Sequence, residues 1–167
     1  MGRLIIEPHI GIGKVKLGMS RKAVHEIMGM NFESLKRDNI LIDLYYESCF
    51  QVNYNKEGVV NFIEIADGII DNFKVVFKDI EIFKTKANDL VSYFEKISKY
   101  NKDDPDAVLG FMYIFEDIGV SLWRPNVFKE EILHEPWFQQ LEQEDKEYEL
   151  KFQYFESVSI WSKGYYD

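Results

Sequence analysis

The stretch VKLGMSRKAVHEIMG, residues 15–29, carries the pattern on which the predicted fold depends. Its first part continues a run of spaced apolar residues, Ile10, Ile12, Val15 and Leu17, as in a strand or an extended arm. Its second part has apolar residues at helical spacing, namely Val24, Ile27 and Met28. Ser20 is a favoured N-cap residue, and Gly29 suits the left-handed position after the last turn. The stretch therefore predicts a strand or extended arm that leads into a two-turn helix.

A second pattern, at residues 50–65, predicts a β-hairpin. Apolar residues recur at every second position over residues 50–54, and again at Ile63 and Ile65. Between these runs, residues 55–58 read Asn-Lys-Glu-Gly, which is the composition of a turn. The order from residue 15 onwards is thus strand or arm, helix, hairpin.

The same order recurs in the second half of the chain. A strand-like run around Ile80 is followed by a helical stripe of apolar residues over 86–99 and by a loop at 101–106. Two alternating runs then come at residues 118–122 and 157–160. These runs match the two strands of the first hairpin.

Matching positions in the two halves keep a nearly constant spacing up to the first strand of each hairpin. The spacings are 65 positions from Ser20 to Thr85, 68 from Val52 to Val120 and 95 from Ile63 to Val158. The jump from 68 to 95 predicts an insertion of about 27 residues in the second half, near residues 125–151.

We therefore predict an α+β fold in one domain, residues 1–167. It comprises two helix-plus-antiparallel-hairpin units, at about 10–68 and about 73–167, with a helical insertion at about 125–151 of the second. A tandem duplication explains this order. The same order also arises in α+β domains that have no duplication.

The Gly18-Met19-Ser20 step and the helix after it resemble the opening of BamE-like and β-lactamase-inhibitor-protein-like folds. The resemblance covers about 15 residues and implies helix-plus-antiparallel-sheet units, which the second family has as a tandem pair. Similar openings occur in small cytosolic immunity proteins of bacterial toxin systems, so the resemblance also implies inhibitory binding. BamE is an outer-membrane lipoprotein, and we expect no such role because the sequence shows neither a signal peptide nor the acylated cysteine.

The composition predicts a folded, acidic protein. The chain has 167 residues, a formal net charge of −9, and 13 Phe, 10 Tyr and 3 Trp, which are too many aromatics for a disordered chain. Cys49 is the only cysteine and no apolar run approaches 18 residues, so we expect a cytoplasmic protein without a membrane partner. The acidic balance disfavours nucleic acid and favours a basic protein partner.

The usual catalytic, cofactor and metal motifs are absent from the sequence. Gly11 and Gly13 are not followed by the residues of a nucleotide-binding loop, and the three histidines, His9, His25 and His134, lie far apart. Cys49 fits a half-buried strand residue better than a nucleophile. We therefore expect no catalytic residue, no cofactor and no metal ion.

Residues 129–149, which we name the acidic segment, concentrate the negative charge. They carry eight acids and two lysines, a formal charge of −6 out of −9, interleaved with large apolar residues. Pro136 is placed to begin a second short helix there. The candidate partner-binding residues are Glu130, Glu131, Glu135, Trp137, Glu142, Glu144, Asp145 and Glu147. Two interpretations stay open: a recognition surface, or a solvated helical pair that packs its aromatics onto the sheet.

The function favoured by these patterns is that of an immunity protein, which neutralises a cognate bacterial toxin by occlusion. The partner would be a basic toxin domain. One alternative is a small enzyme that uses strand carboxylates such as Glu64, Glu116 or Asp117. Another is a ligand-binding or structural module of a larger complex, with an aromatic-rich sheet as its binding surface.

Overall fold

The computed structural model describes residues 2–165 and has an α+β fold, which confirms the predicted class. The strands are β1 (Gly2–Glu7), β2 (Gly11–Ile12), β3 (Val15–Lys16), β4 (Glu33–Arg37), β5 (Ile40–Tyr45), β6 (Phe50–Tyr54), β7 (Val60–Ala66), β8 (Phe73–Phe77), β9 (Ile80–Glu81), β10 (Met112–Phe115), β11 (Val120–Trp123) and β12 (Ser157–Trp161). The helices are α1 (Arg21–Met28), α2 (Ala87–Glu95), α3 (Pro105–Leu109), α4 (Pro136–Gln139) and α5 (Gln143–Leu150). Short 3-10 helices lie at Asp67–Ile69, Ile82–Lys84, Glu116–Ile118, Glu130–His134 and Lys151–Gln153. Among the described helices, none has both the length and the apolar composition that a membrane span requires.

The strands form a large and a small sheet. The large sheet is antiparallel throughout, in the order β10-β11-β12-β7-β6-β5-β4. The small sheet has the order β3-β2-β1-β8-β9, in which β1 and β8 are parallel. The predicted hairpin at residues 50–65 is present as β6 and β7. Residues 55–59 join β6 to β7, whereas residues 124–156 join β11 to β12 and contain α4 and α5.

Rows of paired side chains on one face of the large sheet form the core. One such row runs across five strands through Asp43, Val52, Ile63, Ile160 and Val120. All five side chains are buried, and Asp43 is the only polar member of the row. Directly paired residues share a face because side chains alternate along a strand. The row therefore places one carboxylate inside an otherwise apolar layer.

Helix α2 packs against both sheets through Phe94, whose ring contacts Phe77 of β8 and Phe115 of β10. The predicted helix over 86–99 is too long, since α2 ends at Glu95. Beyond it, the Ile97 amide donates to the Phe94 carbonyl three residues back, which closes the last turn, and Ile97 is 37% exposed. The apolar spacing at Ile97 therefore belongs to a turn and not to the buried stripe.

Helix α1 begins as predicted and ends differently. The Ser20 hydroxyl accepts a hydrogen bond from the Ala23 amide at 3.3 Å, so the predicted N-cap is confirmed. Gly29 has a φ of 82° but an extended ψ of −177°, so it is not the predicted left-handed helical cap. Its positive φ still favours glycine at this position.

Two further details of the second half differ from prediction. Thr85, matched above to the Ser20 cap, donates its hydroxyl to the Glu81 carbonyl, and α2 begins without a side-chain cap. The predicted loop at 101–106 includes the start of α3. Asp104 caps this helix by accepting from two backbone amides, and Pro105 occupies its first position.

Candidate functional site

The acidic segment is anchored near its middle and at its C-terminal end by two buried aromatic rings, Phe138 within it and Phe152 just after it. Phe138 of α4 is 4% exposed and contacts the ring of Phe128, while Phe152 is 6% exposed and contacts the ring of Tyr148. Arg124, at the end of β11, donates from Nη1 to the Phe152 carbonyl at 3.0 Å. These contacts fix the segment to the rest of the molecule while most of its surface faces solvent.

In place of a helical pair, the segment has a 3-10 helix at Glu130–His134, the one-turn helix α4 and the helix α5. Pro136 begins α4 as predicted, but α4 is a single turn in which only Phe138 is buried. Helix α5 buries no residue at all. Helix α5 is not amphipathic, since its sequence between Gln143 and Leu150 is polar around nearly the whole helix.

The carboxylates of the acidic segment are not paired with cations. Every ion pair within residues 2–165 lies outside residues 129–149. Lys146 donates to the Gln139 carbonyl and not to a carboxylate. The charge of this surface is thus not compensated within the described part of the chain. Glu144 and Asp145 lie in the first turn of α5, where the helix dipole stabilises negative charge.

Two aromatic side chains of the segment face outwards beside these carboxylates. Trp137 is 47% exposed and Tyr148 is 56% exposed, whereas Phe138, next to Trp137, is buried. The Trp137 ring rests edge-on against Phe138, with centroids 5.8 Å apart. One interpretation left open above was that the aromatics of the segment pack onto the protein. Phe138 does so, whereas Trp137 stays about half exposed.

The structure places all the candidate partner-binding residues on one exposed stretch of short helices. Two lie in the 3-10 helix at Glu130–His134, two flank or occupy the start of α4, and four lie at the start and middle of α5. In that order they are Glu130, Glu131, Glu135, Trp137, Glu142, Glu144, Asp145 and Glu147, and each is exposed. Their role in binding stays a prediction.

A second polar site, which the sequence did not predict, joins α1 to the large sheet. Its centre is the fully buried carboxylate of Asp43 on β5. Arg21 donates to both oxygens of this carboxylate, from Nε at 2.8 Å and from Nη2 at 2.7 Å. Ser34 of β4 donates its hydroxyl at 2.5 Å, and His25 Nε2 lies at 2.8 Å. We name these four residues the Asp43 cluster.

Charge and hydrogen bonding keep Asp43 ionised. Burial alone would raise its pKa, but the hydrogen bonds from Arg21, Ser34 and His25 outweigh burial and lower the pKa to about 2. Because an ionised carboxylate only accepts hydrogen bonds, His25 Nε2 is the donor in this contact. Burial and the nearby Asp43 charge raise the pKa of Tyr45 to about 12, so its phenol stays protonated.

The geometry of the Asp43 cluster suits a structural link better than catalysis. Ser34 and His25 both donate to the same carboxylate, so the histidine is not placed to take a proton from the serine. Asp43 itself is enclosed and cannot reach a substrate. The cluster instead ties α1, in which only Val24 is buried, to strands β4 and β5.

One signal in the sequence could have revealed this cluster. Asp43 stands between Leu41 and Tyr45 at every-second-residue spacing, which puts a carboxylate on the core face of a strand. Such a group requires charged or hydrogen-bonding partners. Arg21 and His25, spaced by four on α1, form one helix face and are the matching donors. His25 thus lies on the helix face that meets the sheet, beside Arg21.

We expect the protein to lose stability as the pH falls from about 4 to about 2. The pKa of Asp43 is lowered from 3.8 to about 2 on folding, so its contribution is complete above the unfolded value and disappears as the pH falls through the folded value. The shift is worth about 2 kcal/mol, at about 1.4 kcal/mol per pH unit. Urea unfolding at about pH 5 and about pH 2.5 measures this loss. The Asp43→Asn variant should lose less stability over this pH range than the natural chain does. Equal losses of stability would show that Asp43 is not the group responsible.

The remaining predicted residues lie apart from one another. His9 Nε2 contacts the Asp117 carbonyl at 2.9 Å, and His134 is exposed. Cys49 is half-buried, and burial, followed by the charges of Asp67 and Glu47, raises the pKa of its thiol, which lowers its reactivity. Within residues 2–165, His, Cys, Asp and Glu side chains form no group of three that could hold a metal ion.

The carboxylates considered for an enzyme do not converge. Glu64 on β7 accepts a hydrogen bond from Ser157 at 2.7 Å. Glu116 and Asp117 are exposed and lie in a 3-10 helix, so their predicted position on a strand is wrong. On the same sheet face as Glu64, the hydroxyls of Ser121 and Ser159 pair with each other at 2.5 Å. This face is stabilised by its own polar contacts.

The chain matches no protein-family model, no curated protein and no solved structure.

Proposed function

We propose that this chain is a binding protein that neutralises a cognate bacterial toxin by occlusion, and that the acidic segment is its principal contact surface. The observation that carries the proposal is the set of exposed carboxylates without ion-pair partners at residues 129–149. The half-exposed Trp137 supplies an aromatic anchor among them. The partner is accordingly a protein with a basic face.

Charge and apolar contact contribute to such binding in different ways. Uncompensated surface charge accelerates encounter with an oppositely charged partner and selects against partners of like charge. Large aromatic side chains supply much of the binding energy when a partner buries them. The acidic segment offers both, on a stretch that Phe138 and Phe152 hold in place. Occlusion needs no catalytic group, which agrees with the absence of a predicted one.

The strand pairing supports a tandem duplication, which we include in the proposal. Strands β7 and β12 are neighbours, with Glu64 opposite Ser159. A local two-fold axis set at this pair relates positions 95 apart, the spacing seen in the sequence between Ile63 and Val158, whereas an axis set at the next pair, Ile63 and Ile160, would relate positions 97 apart. The same axis relates β6 to β11, but it matches Val52 with Leu122 and not with Val120. The residues between β11 and β12 are then the helical insertion of the second unit.

The proposal is tested by measuring inhibition of a captured partner. The chain is immobilised, a partner is captured from extract of the native cell, and that partner is purified and assayed with increasing amounts of the chain. We expect inhibition that is complete at one equivalent and a partner with a basic contact face. Full activity of the partner in the complex would refute occlusion. Inhibition by far less than one equivalent would indicate an enzyme.

We expect Trp137→Ala to weaken binding by about 30-fold, or about 2 kcal/mol, mainly through faster dissociation. Because Trp137 is about half exposed, the free energy of unfolding should change by less than about 1 kcal/mol. Surface plasmon resonance and urea unfolding measure the two effects.

The neighbouring Phe138→Ala is the matched control for stability. It removes a ring that is 4% exposed and should cost about 3 kcal/mol of folding stability. The interface assignment is contradicted if Trp137→Ala lowers stability by a similar amount and leaves affinity unchanged.

A further inference from the structure

Strand β4, residues Glu33–Arg37, forms one outer edge of the large sheet. It lies last in the strand order and pairs with β5 alone. All five of its residues are exposed, and within residues 2–165 no backbone hydrogen bond joins it to any element other than β5. The amides and carbonyls on its outer side are therefore available to another extended chain.

The turn between β4 and β5 determines which backbone groups face outwards. Asp38 and Asn39 have φ angles of 49° and 68°, as in a two-residue type I′ turn. The residues that flank such a turn form a hydrogen-bonded pair. Because bonded and non-bonded pairs alternate along antiparallel strands, the first, third and fifth residues of β4 bond to β5. The amides and carbonyls of the other two, Ser34 and Lys36, face outwards.

The sequence of β4, Glu-Ser-Leu-Lys-Arg, is complementary to itself when two copies run antiparallel. If Leu35 lies opposite Leu35 of the second copy, Ser34 lies opposite Lys36, so that the outward-facing backbone groups bond to each other. The same register places Glu33 opposite Arg37 at both ends of the paired strands. Directly opposed residues of opposite charge stabilise an antiparallel pair.

Other registers that join the outward-facing groups fit less well. Centring the pair on Lys36 places this lysine opposite itself, and centring it on Ser34 places Glu33 opposite Leu35. Charged side chains on an edge strand usually prevent pairing, but in the Leu35-centred register the end charges are of opposite sign. Glu33 and Arg37 form no ion pair within residues 2–165, so both charges are available to a second copy.

We propose that β4 is a homodimerisation strand, to which a second copy of this chain adds antiparallel about a two-fold axis at Leu35. The seven-stranded sheet then continues into that of the second copy. Leu35, which is 38% exposed, is covered by its own counterpart. Because only five residues of each copy take part, we expect a reversible dimer with a Kd of about 100 μM.

The dimer leaves the acidic segment free. This segment follows β11, and four strands lie between β11 and β4 in the large sheet. The proposal therefore does not depend on the proposed toxin partner.

Analytical ultracentrifugation of the full chain tests this contact. Glu33→Arg and Arg37→Glu should each weaken association by about tenfold, because each converts both end pairs into pairs of like charge. Both side chains are exposed, so the fold should stay intact. The first substitution makes the chain less acidic and the second makes it more acidic, so a general effect of net charge would change association in opposite directions.

An equimolar mixture of the two variants restores opposite charges at both ends of the pair. It should associate about as tightly as the natural chain does. The proposal is overturned if the natural chain stays monomeric up to about 1 mM, or if the mixture associates no better than the separate variants.

Disulfide cross-linking tests the register. In a chain that carries Cys49→Ser, Leu35→Cys places a thiol opposite its own counterpart. The Cα atoms of such a non-hydrogen-bonded pair are about 4.5 Å apart, which suits a disulfide. Mild oxidation should therefore link most of the protein into dimers. Asp79→Cys in the same background is the matched control, since Asp79 is exposed and lies outside β4. Equal yields from the two positions would contradict the register.

Discussion

Replacing Glu142, Glu144 and Asp145 together with lysine should slow association with the basic partner by about 100-fold at low salt. The change takes the formal charge of the acidic segment from −6 to zero. Because attraction between surfaces drives the encounter, the salt dependence of the association rate should also largely disappear. Stopped-flow kinetics over a range of salt concentrations measure both quantities.

The protein should remain folded after this triple reversal. The three side chains are exposed and belong to no ion pair in residues 2–165, so only their favourable position at the start of α5 is lost. The control is a second triple reversal, with lysine replacing Asp79, Asp103 and Glu116. These residues are exposed, lie outside the acidic segment and give the same change in net charge. Equal slowing in both variants would refute the segment as the contact surface.

Asp43→Asn should lower the free energy of unfolding by about 3 kcal/mol at neutral pH, the lower end of the cost of breaking a buried ion pair. The substitution keeps the shape of the side chain but removes its charge and one acceptor. Arg21 and His25 then face a neutral amide, and one of their donors meets another donor. Because Arg21 is about one-third exposed, water recovers part of the loss. Urea unfolding at pH 7 measures the effect.

Asp79→Asn is the matched control for this measurement. Asp79 is exposed, and its substitution should change stability by less than about 0.5 kcal/mol. A loss of similar size for both variants would show that Asp43 contributes no more than a surface carboxylate. Loss of the α1 helical signal in Asp43→Asn alone would further support the role of the cluster in holding this helix.

Regular alternation and capping residues could be predicted from the sequence because they depend on neighbours along the chain. The hairpin of β6 and β7 and the Ser20 cap are examples. Strand β4 was missed because all five of its residues are exposed, which leaves no buried face to produce a pattern. The two residues after it, Asp38 and Asn39, both have positive φ. This Asp-Asn pair therefore indicates the hairpin of β4 and β5 more clearly than the residues of β4 do.

The acidic segment could be predicted from the sequence, whereas the Asp43 cluster and the contacts of Arg124 could not, for a related reason. The acidic segment is a local excess of negative charge, so a short window of sequence that covers residues 129–149 is enough to detect it. The Asp43 cluster joins residues that are 9, 18 and 22 positions apart, and the contacts of Arg124 span 14 and 28 positions. Such contacts depend on how the strands pair. That pairing follows from the whole core and cannot be derived from one window.

The central position of β12 in the large sheet has a consequence for how the chain folds during synthesis. β7 pairs with β12, and partners such as Ile63 and Ile160 are 97 positions apart. The edge of β7 therefore stays unpaired until the residues of β12 have left the ribosome, and an open edge is a template for aggregation. We expect folding to be slow and to be limited by this late pairing, because contacts between distant positions carry a large entropic cost.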